Sequence, residues 1–384
     1  MKKYLIFILL PLVLVVLFAA SVYVYDPIQI FHKSWLDKDP CLSIKMEVQA
    51  AGIINSYDFN SVILGTSMME NSSANEASTL LGGDFVNISL SGGDFYERSF
   101  LLNYLLTHKK IDKTIYSLDF YAYYQKRTRK TRISKYSYLY DNSRLNDVLS
   151  YTDSDIVKEL ARPKRCPENC DRMQYHYEWI NRNDIKQKFG GMENWFKNVY
   201  SKKSLYADYE TTMTADNAID SGSVKYSKEA DVSGIIQYID KYVLSYVENT
   251  PDTQFIFIFP PYTRLYYAIM AQTRQYEYSA YVYVIRYLVK QQSQLSNMSV
   301  YGFDDTDFPD DIKNYKDMTH YSPKVNSYMT RSISEHKHRL TSENIDSYID
   351  NISAKAAKYD IRQIAKEMRA YNDKYHCITK KPEF

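Results

Sequence analysis

Residues 61–67 read Ser-Val-Ile-Leu-Gly-Thr-Ser. A short apolar run that stops at a glycine is typical of a strand buried on both faces of a parallel sheet. Residues 85–89, 114–118 and 254–259 form runs of the same kind, and residues 299–303 form a weaker fifth. Together they predict a buried parallel sheet.

Helical patterns lie between several of these runs. They cover residues 44–57, 96–107, 234–248, 276–295 and 341–367. Strands that alternate with helices predict an α/β fold with a doubly wound parallel sheet. The last pattern predicts a helix packed on the outside of the domain.

The alternation also divides the chain. Residues 61–335 form the predicted main domain, preceded by a lead-in at 26–60 and followed by a helical extension at 336–384. Residues 122–230 interrupt the main domain and are rich in Tyr, Lys and Arg. This interval is too long for a simple connection, so we interpret it as an inserted subdomain or substrate cap.

Composition limits the function classes. The chain has 384 residues, with 48 Lys and Arg against 46 Asp and Glu. A net charge of 48 − 46 = +2 gives no global reason to expect nucleic acid as a partner. The 45% hydrophobic content argues against a wholly disordered chain. The chain has 39 tyrosines. Either many of them line polar grooves, since a tyrosine offers both a ring and a hydroxyl, or their number reflects codon bias.

The N-terminus predicts export. Lys2 and Lys3 precede an uncharged apolar run over residues 4–25, which is long enough to span a bilayer as a helix. The two lysines predict a cytoplasmic N-terminus and an extracytoplasmic domain, so we expect a single-pass protein of the cytoplasmic membrane, with its bulk in the periplasm. A cleaved signal peptide is the alternative, because Ala19, Ala20 and Ser21 could form a cleavage site.

Cysteine use agrees with an exported domain. Cys166 and Cys170 are close enough in sequence to form a small disulfide loop, which leaves Cys41 and Cys377 to pair with each other. Free thiols or a zinc site are the alternatives, but no second close pair supports zinc. We therefore predict neither a metal nor a cofactor.

Candidate catalytic residues follow the predicted strands, where open α/β sheets bind ligands. Ser67 lies in the turn between the first strand and the next helix and is a candidate nucleophile near the helix N-terminal N–H groups. The alternative is that Ser67 simply caps this helix. His320 is the candidate base for Ser67, and Asp317, three residues earlier, could reach the other imidazole nitrogen from one helical turn. Gly92 follows the second strand and could donate its backbone N–H to an oxyanion, together with the N–H of Ser67.

These segments resemble the SGNH (GDSL-like) hydrolase superfamily. Residues 65–67 resemble its first block, residues 87–93 its second and residues 317–320 its last. The resemblance implies a three-layer α/β/α, flavodoxin-like domain with a Ser67–His320–Asp317 triad and an oxyanion glycine at Gly92. The third block departs from the family, in which an Asn after the third strand donates to the oxyanion. No Asn stands there in this chain, and Tyr121, which falls nearest to its place, is the candidate for this third donor.

Substrate contacts are predicted near the same strand ends as the candidate catalytic residues. Residues 126–135 hold six basic side chains, of which Arg127 and Arg129 are candidates for an anionic glycan or phospholipid headgroups, although a solvated loop is the alternative. Tyr121 and Tyr262 are candidates for stacking on sugar rings.

The resemblance and the predicted topology together imply an enzyme of the cell envelope. Membrane-anchored SGNH domains are similar to proteins that add or remove acyl groups on surface polysaccharides. We therefore expect an O-acyltransferase that transfers an acetyl group and receives it from a polytopic membrane acyltransferase. An esterase or deacetylase with the same triad, and a non-catalytic glycan-binding assembly protein, are the alternatives.

Overall fold

The computed structural model describes residues 2–26, 28–33, 35, 46–124, 132–154, 156, 187–199, 201–223 and 232–378. Its strands are β1 Ser61–Leu64, β2 Phe85–Asn87, β3 Lys113–Ser117, β4 Gln254–Phe259 and β5 Met298–Gly302. The helices before β4 are α1 Lys2–Tyr25, α2 Met46–Ser56, α3 Ala74–Leu81, α4 Phe95–His108, α5 Phe120–Tyr124, α6 Arg132–Lys135, α7 Met192–Lys197, α8 Lys202–Asp220, α9 Ser233–Ile239 and α10 Ser245–Asn249. Those after β4 are α11 Arg264–Thr273, α12 Gln275–Gln292, α13 Pro323–Ser334, α14 Ile345–Lys358 and α15 Ile361–Tyr375.

The strands form one parallel sheet in the order β2-β1-β3-β4-β5. This is the order of flavodoxin-like doubly wound sheets, and it places every strand's carboxyl end on the same edge. The strands are buried because their apolar side chains meet helices, so their sequences read as apolar runs rather than as alternating ones. The parallel α/β architecture is confirmed, and the helices around the sheet are consistent with three layers.

Two predicted helices differ in detail from the structure. The pattern at 234–248 is helical throughout, but a π-helical turn at Asp240–Leu244 separates α9 from α10. The pattern at 341–367 divides into α14 and α15, because Asp360 accepts a hydrogen bond from the Gln363 N–H and caps a new helix.

The C-terminal helices are part of the core. Ile349 and Ile352 of α14 are buried, and α14 packs along α11. The Tyr348 hydroxyl donates a hydrogen bond of 2.9 Å to buried Asp304, which follows β5. The predicted extension therefore stabilises the domain that carries the sheet.

The described part of the predicted insertion also contacts the main domain. The Gly190 N–H donates to the Lys313 carbonyl at 2.9 Å, and α8 packs on α11 and α15. Residues 157–186 lie outside the described residues.

The apolar N-terminal run is helical in α1. Among helices whose residues the structure describes, none is both long and apolar enough to cross a membrane. The membrane-spanning role of the apolar run over residues 4–25 therefore stays a prediction.

Candidate active site

Ser67 lies in a turn that directly follows β1. The Met69 N–H donates to the Thr66 carbonyl at 3.0 Å, and the Gly65 N–H donates to the Ser89 hydroxyl at 3.1 Å. A Cβ atom at Gly65 would lie 2.4 Å from Met69 Cγ, so this close approach requires glycine. The chain thus turns sharply at the strand's end and leaves the Ser67 side chain partly exposed.

The next helix begins later than the sequence predicts. We expected Ser67 at a helix N-terminus, but α3 starts at Ala74, where Ser73 accepts a hydrogen bond from the Glu76 N–H. Ser73 is therefore the capping serine, and the amides near Ser67 belong to a turn. The alternative role of Ser67, as a helix cap, is excluded by the same observation.

The structure brings together three residues that the sequence separates widely. The Ser67 Oγ lies 2.9 Å from His320 Nε2, although the two residues are 253 positions apart. On the other side of the ring, His320 Nδ1 lies 2.8 Å and 2.9 Å from the two carboxylate oxygens of Asp317. A hydroxyl, an imidazole and a carboxylate in this series form a proton relay of the Ser-His-Asp kind.

The loop that carries Asp317 and His320 is not helical, in contrast to our expectation. Asp317 Oδ1 accepts the N–H of Thr319 at 3.0 Å and of His320 at 2.8 Å. An antiparallel bridge between Tyr315 and Tyr321 closes the base of the loop. The carboxylate therefore shapes its own loop by an Asx-type turn and orients the imidazole with the same group.

The carboxylate of the relay is held in its charged form. Burial alone would raise the pKa of Asp317, but hydrogen bonding and charge from His320, together with the charge of Lys316, hold that pKa well below its ordinary value. An ionised Asp317 can stabilise the imidazolium that forms when His320 accepts a proton from Ser67.

Gly92 lies in the loop beside the Ser67 turn. The Leu90 N–H donates to the Gly65 carbonyl at 2.8 Å, which ties the loop after β2 to the loop after β1. The Gly93 N–H returns to the Leu90 carbonyl, and Gly92 takes a φ of +63° within this turn. Glycine is therefore required here by backbone conformation, whether or not its N–H also serves an oxyanion.

Asp119, at the third strand's end, forms a buried network that the sequence analysis did not identify. It accepts hydrogen bonds from the Thr66 hydroxyl at 2.8 Å and from the Ser117 hydroxyl at 2.5 Å. Arg98 Nη2 lies 3.8 Å from Asp119 Oδ2, and both side chains are almost fully buried. The carboxylate thus fixes the residue before Ser67.

Arg98 reaches this network from α4. Its guanidinium lies between the rings of Phe95 and Tyr116, at 4.9 Å and 4.5 Å from their centres, and donates to the Ser117 carbonyl at 2.7 Å. A lone arginine within an apolar helical pattern was the available sequence signal, since such a residue requires a buried partner.

The predicted substrate-binding residues have different environments. Tyr121, the candidate for the third oxyanion donor, lies on α5 and is 39% exposed. Tyr262 is only 4% exposed and packs edge-on against Tyr266 at 4.8 Å. Its burial corrects the prediction that it offers an open stacking surface, because its ring is used in the core. Arg127 and Arg129 lie outside the described residues.

Cys377 carries a free thiol in the structure, and its Sγ lies 3.0 Å from the Phe196 carbonyl oxygen. The predicted pairing with Cys41 is therefore not formed. Cys41, Cys166 and Cys170 lie outside the described residues, and so does the predicted disulfide loop.

Within the described ranges, no three His, Cys, Asp or Glu side chains cluster in a way that could hold a metal ion.

Comparison with known proteins identifies no relative. No family model matches the chain, no curated protein matches it in sequence, and no solved structure matches its fold. The function therefore has to be inferred from the site itself.

Proposed function

We propose that the protein is a serine-dependent acyl-transfer enzyme of the SGNH type that acts outside the cytoplasmic membrane. The observation that carries this proposal is the continuous series Ser67–His320–Asp317 at the carboxyl edge of a parallel sheet. Parallel α/β sheets bind ligands at this edge, and a serine hydroxyl needs such a base to act as a nucleophile.

The first half-reaction forms an acyl-serine. Ser67 Oγ attacks the carbonyl carbon of an ester while His320 Nε2 takes the hydroxyl proton. The tetrahedral intermediate then collapses, the bond to the leaving oxygen breaks, and His320 returns the proton to the departing alcohol. The backbone N–H groups of Ser67 and Gly92 stabilise the oxyanion in this scheme, with the Tyr121 hydroxyl as the candidate third donor.

The second half-reaction delivers the acyl group. An acceptor hydroxyl loses its proton to His320 Nε2 and attacks the acyl carbonyl carbon. The proton returns to Ser67 Oγ as the acyl-oxygen bond to the enzyme breaks. We propose a cell-surface glycan as the acceptor and acetyl as the acyl group, supplied through a polytopic membrane acyltransferase.

Helix α1 supports the extracytoplasmic location. Its large apolar side chains from Leu9 to Phe18 are exposed to between 45% and 64%. Exposed apolar surface of this kind is unfavourable in water, so we propose that lipid covers it. The helix ends at Tyr25, and the carboxylate of the next residue, buried Asp26, accepts the N–H of Ile30 at 3.0 Å and the hydroxyl of Tyr151. The Tyr151 contact connects the proposed anchor to the domain.

Turnover of p-nitrophenyl acetate tests the proposal. The full-length protein in detergent should release p-nitrophenol, and Ser67→Ala should abolish the release. Ser334→Ala removes a hydroxyl that bonds the Arg331 carbonyl within its own helix, α13, so it should retain full activity. Equal rates for the wild type and Ser67→Ala would refute serine catalysis.

Acceptor dependence separates transfer from hydrolysis. The assay is repeated with oligosaccharides that can be acetylated, and the masses of the products are measured by mass spectrometry. Acetylated oligosaccharide formed only by the wild type supports a transferase. Release of acetate at a rate that no oligosaccharide changes supports the esterase alternative.

A further inference from the structure

The loop that carries the acid and the base is supported from behind by residues of the predicted insertion. The indole N–H of Trp195, on α7, donates to the Tyr315 carbonyl at 2.9 Å. The Met318 N–H donates to Asp208 Oδ2, on α8, at 3.2 Å. Met318 lies between Asp317 and the residues that Asp317 itself orients.

These contacts give three successive amides of the loop a carboxylate acceptor. The N–H of Met318 points to Asp208, while the N–H groups of Thr319 and His320 point to Asp317. The peptide planes of residues 318–320 are thereby fixed from two sides. A loop held in this way keeps the imidazole in one orientation toward Ser67.

We propose that Asp208 is a positioning residue for catalysis: its carboxyl group holds the Met318 amide and thereby aligns Asp317 and His320 with Ser67. This inference rests on the proposed function, because alignment matters for catalysis only if the relay operates. Asp208 belongs to the predicted insertion at residues 122–230, so this segment would contribute to catalysis in addition to any role as a substrate cap.

The charges around Asp208 indicate how it acts. It faces Asp317, Lys188 and Lys316, and both lysines are almost fully buried. Burial and the charge of Asp317 raise the pKa of Asp208 well above its ordinary value, whereas the Met318 N–H and the two lysines lower it by less. The contact to Met318 needs only an acceptor oxygen of Asp208, whereas the carboxylate that faces His320 is that of Asp317.

Two substitutions distinguish this role from a charge effect. Asp208→Asn keeps an amide oxygen that can accept the Met318 N–H, and Asp208→Ala keeps none. Asp216→Ala is the matched control, because Asp216 is a buried carboxylate on the same helix that bonds Arg369 away from the loop. All three are compared with the wild type and Ser67→Ala by p-nitrophenyl acetate turnover, using full-length protein in detergent.

We expect Asp208→Ala to lower kcat by about 10²-fold with little change in KM, the size of effect that misplaced reacting groups produce. Asp208→Asn should stay within about threefold of the wild type, and Asp216→Ala should lose thermal stability without losing kcat. The acid limb of kcat/KM against pH should coincide in the wild type and Asp208→Asn, because the proposed role needs the acceptor oxygen of residue 208 and not a charge there.

Several outcomes would overturn the inference. Asp208→Ala with wild-type kcat would show that the contact does not position the loop, and an Asn variant as slow as the Ala variant would exclude the acceptor role. An acid limb displaced to lower pH in Asp208→Asn would show that Asp208 acts by its charge. If the wild type were no faster than Ser67→Ala, the proposed function would fail first, which separates the two failures. Should Asp208→Ala fail to fold, the rate and pH profile of Asp208→Asn still decide the question.

Discussion

Removal of Asp119 tests the buried network that supports the nucleophile. The side chains of Arg98 and Asp119 are 0% and 2% exposed, so Asp119→Ala leaves a guanidinium uncompensated in the core. Loss of one partner from such a pair costs about 3–5 kcal/mol. The Thr66 and Ser117 hydroxyls also lose their acceptor. We therefore expect the free energy of unfolding to fall by at least about 3 kcal/mol.

Urea unfolding followed by circular dichroism at pH 7 measures this loss. Asp119→Asn is the matched variant, because it removes the charge and keeps the shape. The double variant Arg98→Met/Asp119→Ala leaves no unpaired buried charge, so it should be more stable than Asp119→Ala alone. A loss below about 1 kcal/mol for Asp119→Ala is typical of exposed ion pairs and would contradict a role for Asp119 as the partner of a buried guanidinium. Additive losses in the double variant would also refute it.

Three further predictions concern the relay, the oxyanion loop and the core. Asp317→Asn should lower kcat for p-nitrophenyl acetate by about 10⁴-fold, because an amide disfavours the tautomer of His320 that accepts the Ser67 proton. Gly92→Ala should cost about 1–2 kcal/mol through its positive φ, and it should also slow acylation. Burial raises the pKa of Asp304 to about 6, so its folded pKa exceeds its unfolded one and its contribution to stability falls as pH rises from about 4 to 6. The Asp304→Asn variant should therefore gain up to about 3 kcal/mol relative to the wild type between pH 4 and pH 7.5, measured by urea unfolding.

Each of these predictions has an outcome that would contradict it. For the relay, kcat of Asp317→Asn within tenfold of the wild type would show that the carboxylate does not set the tautomer. Gly222→Ala is the control for the oxyanion loop, because Gly222 has a φ of +62° and an added Cβ would meet no atom within 4 Å. Equal activity losses in the two glycine variants would exclude a role for the Gly92 loop. A stability difference between Asp304→Asn and the wild type that stays constant with pH would contradict the assigned pKa.

The sheet could be predicted because its signal is local. A strand buried on both faces is an apolar run, so each predicted strand lies within two residues of the observed one, as with residues 114–118 and β3 at Lys113–Ser117. The ends of the helices were harder to predict from the sequence. The break between α14 and α15 depends on Asp360 acting as a cap, and the sequence alone left that residue within a continuous polar pattern.

The relay residues could be selected because topology gathers strand ends at one edge. The same rule says nothing about loop conformation, so the Asx-type turn at Asp317 and the late start of α3 were not predicted. Arg98 and Asp208 were missed for a different reason. Each acts through a contact between distant segments, to Asp119 and to Met318, and no local spacing reveals such a contact.

Acylation of Ser67 is the step on which the proposed mechanism depends. The most direct measurement is the intact mass of the full-length protein after brief incubation with an activated acetyl ester, followed by peptide mapping, with Ser67→Ala and His320→Ala beside the wild type. We predict a gain of one acetyl group, located on Ser67, in the wild type alone. An unmodified Ser67 in a folded protein, or equal acetylation of the His320→Ala variant, would contradict the account.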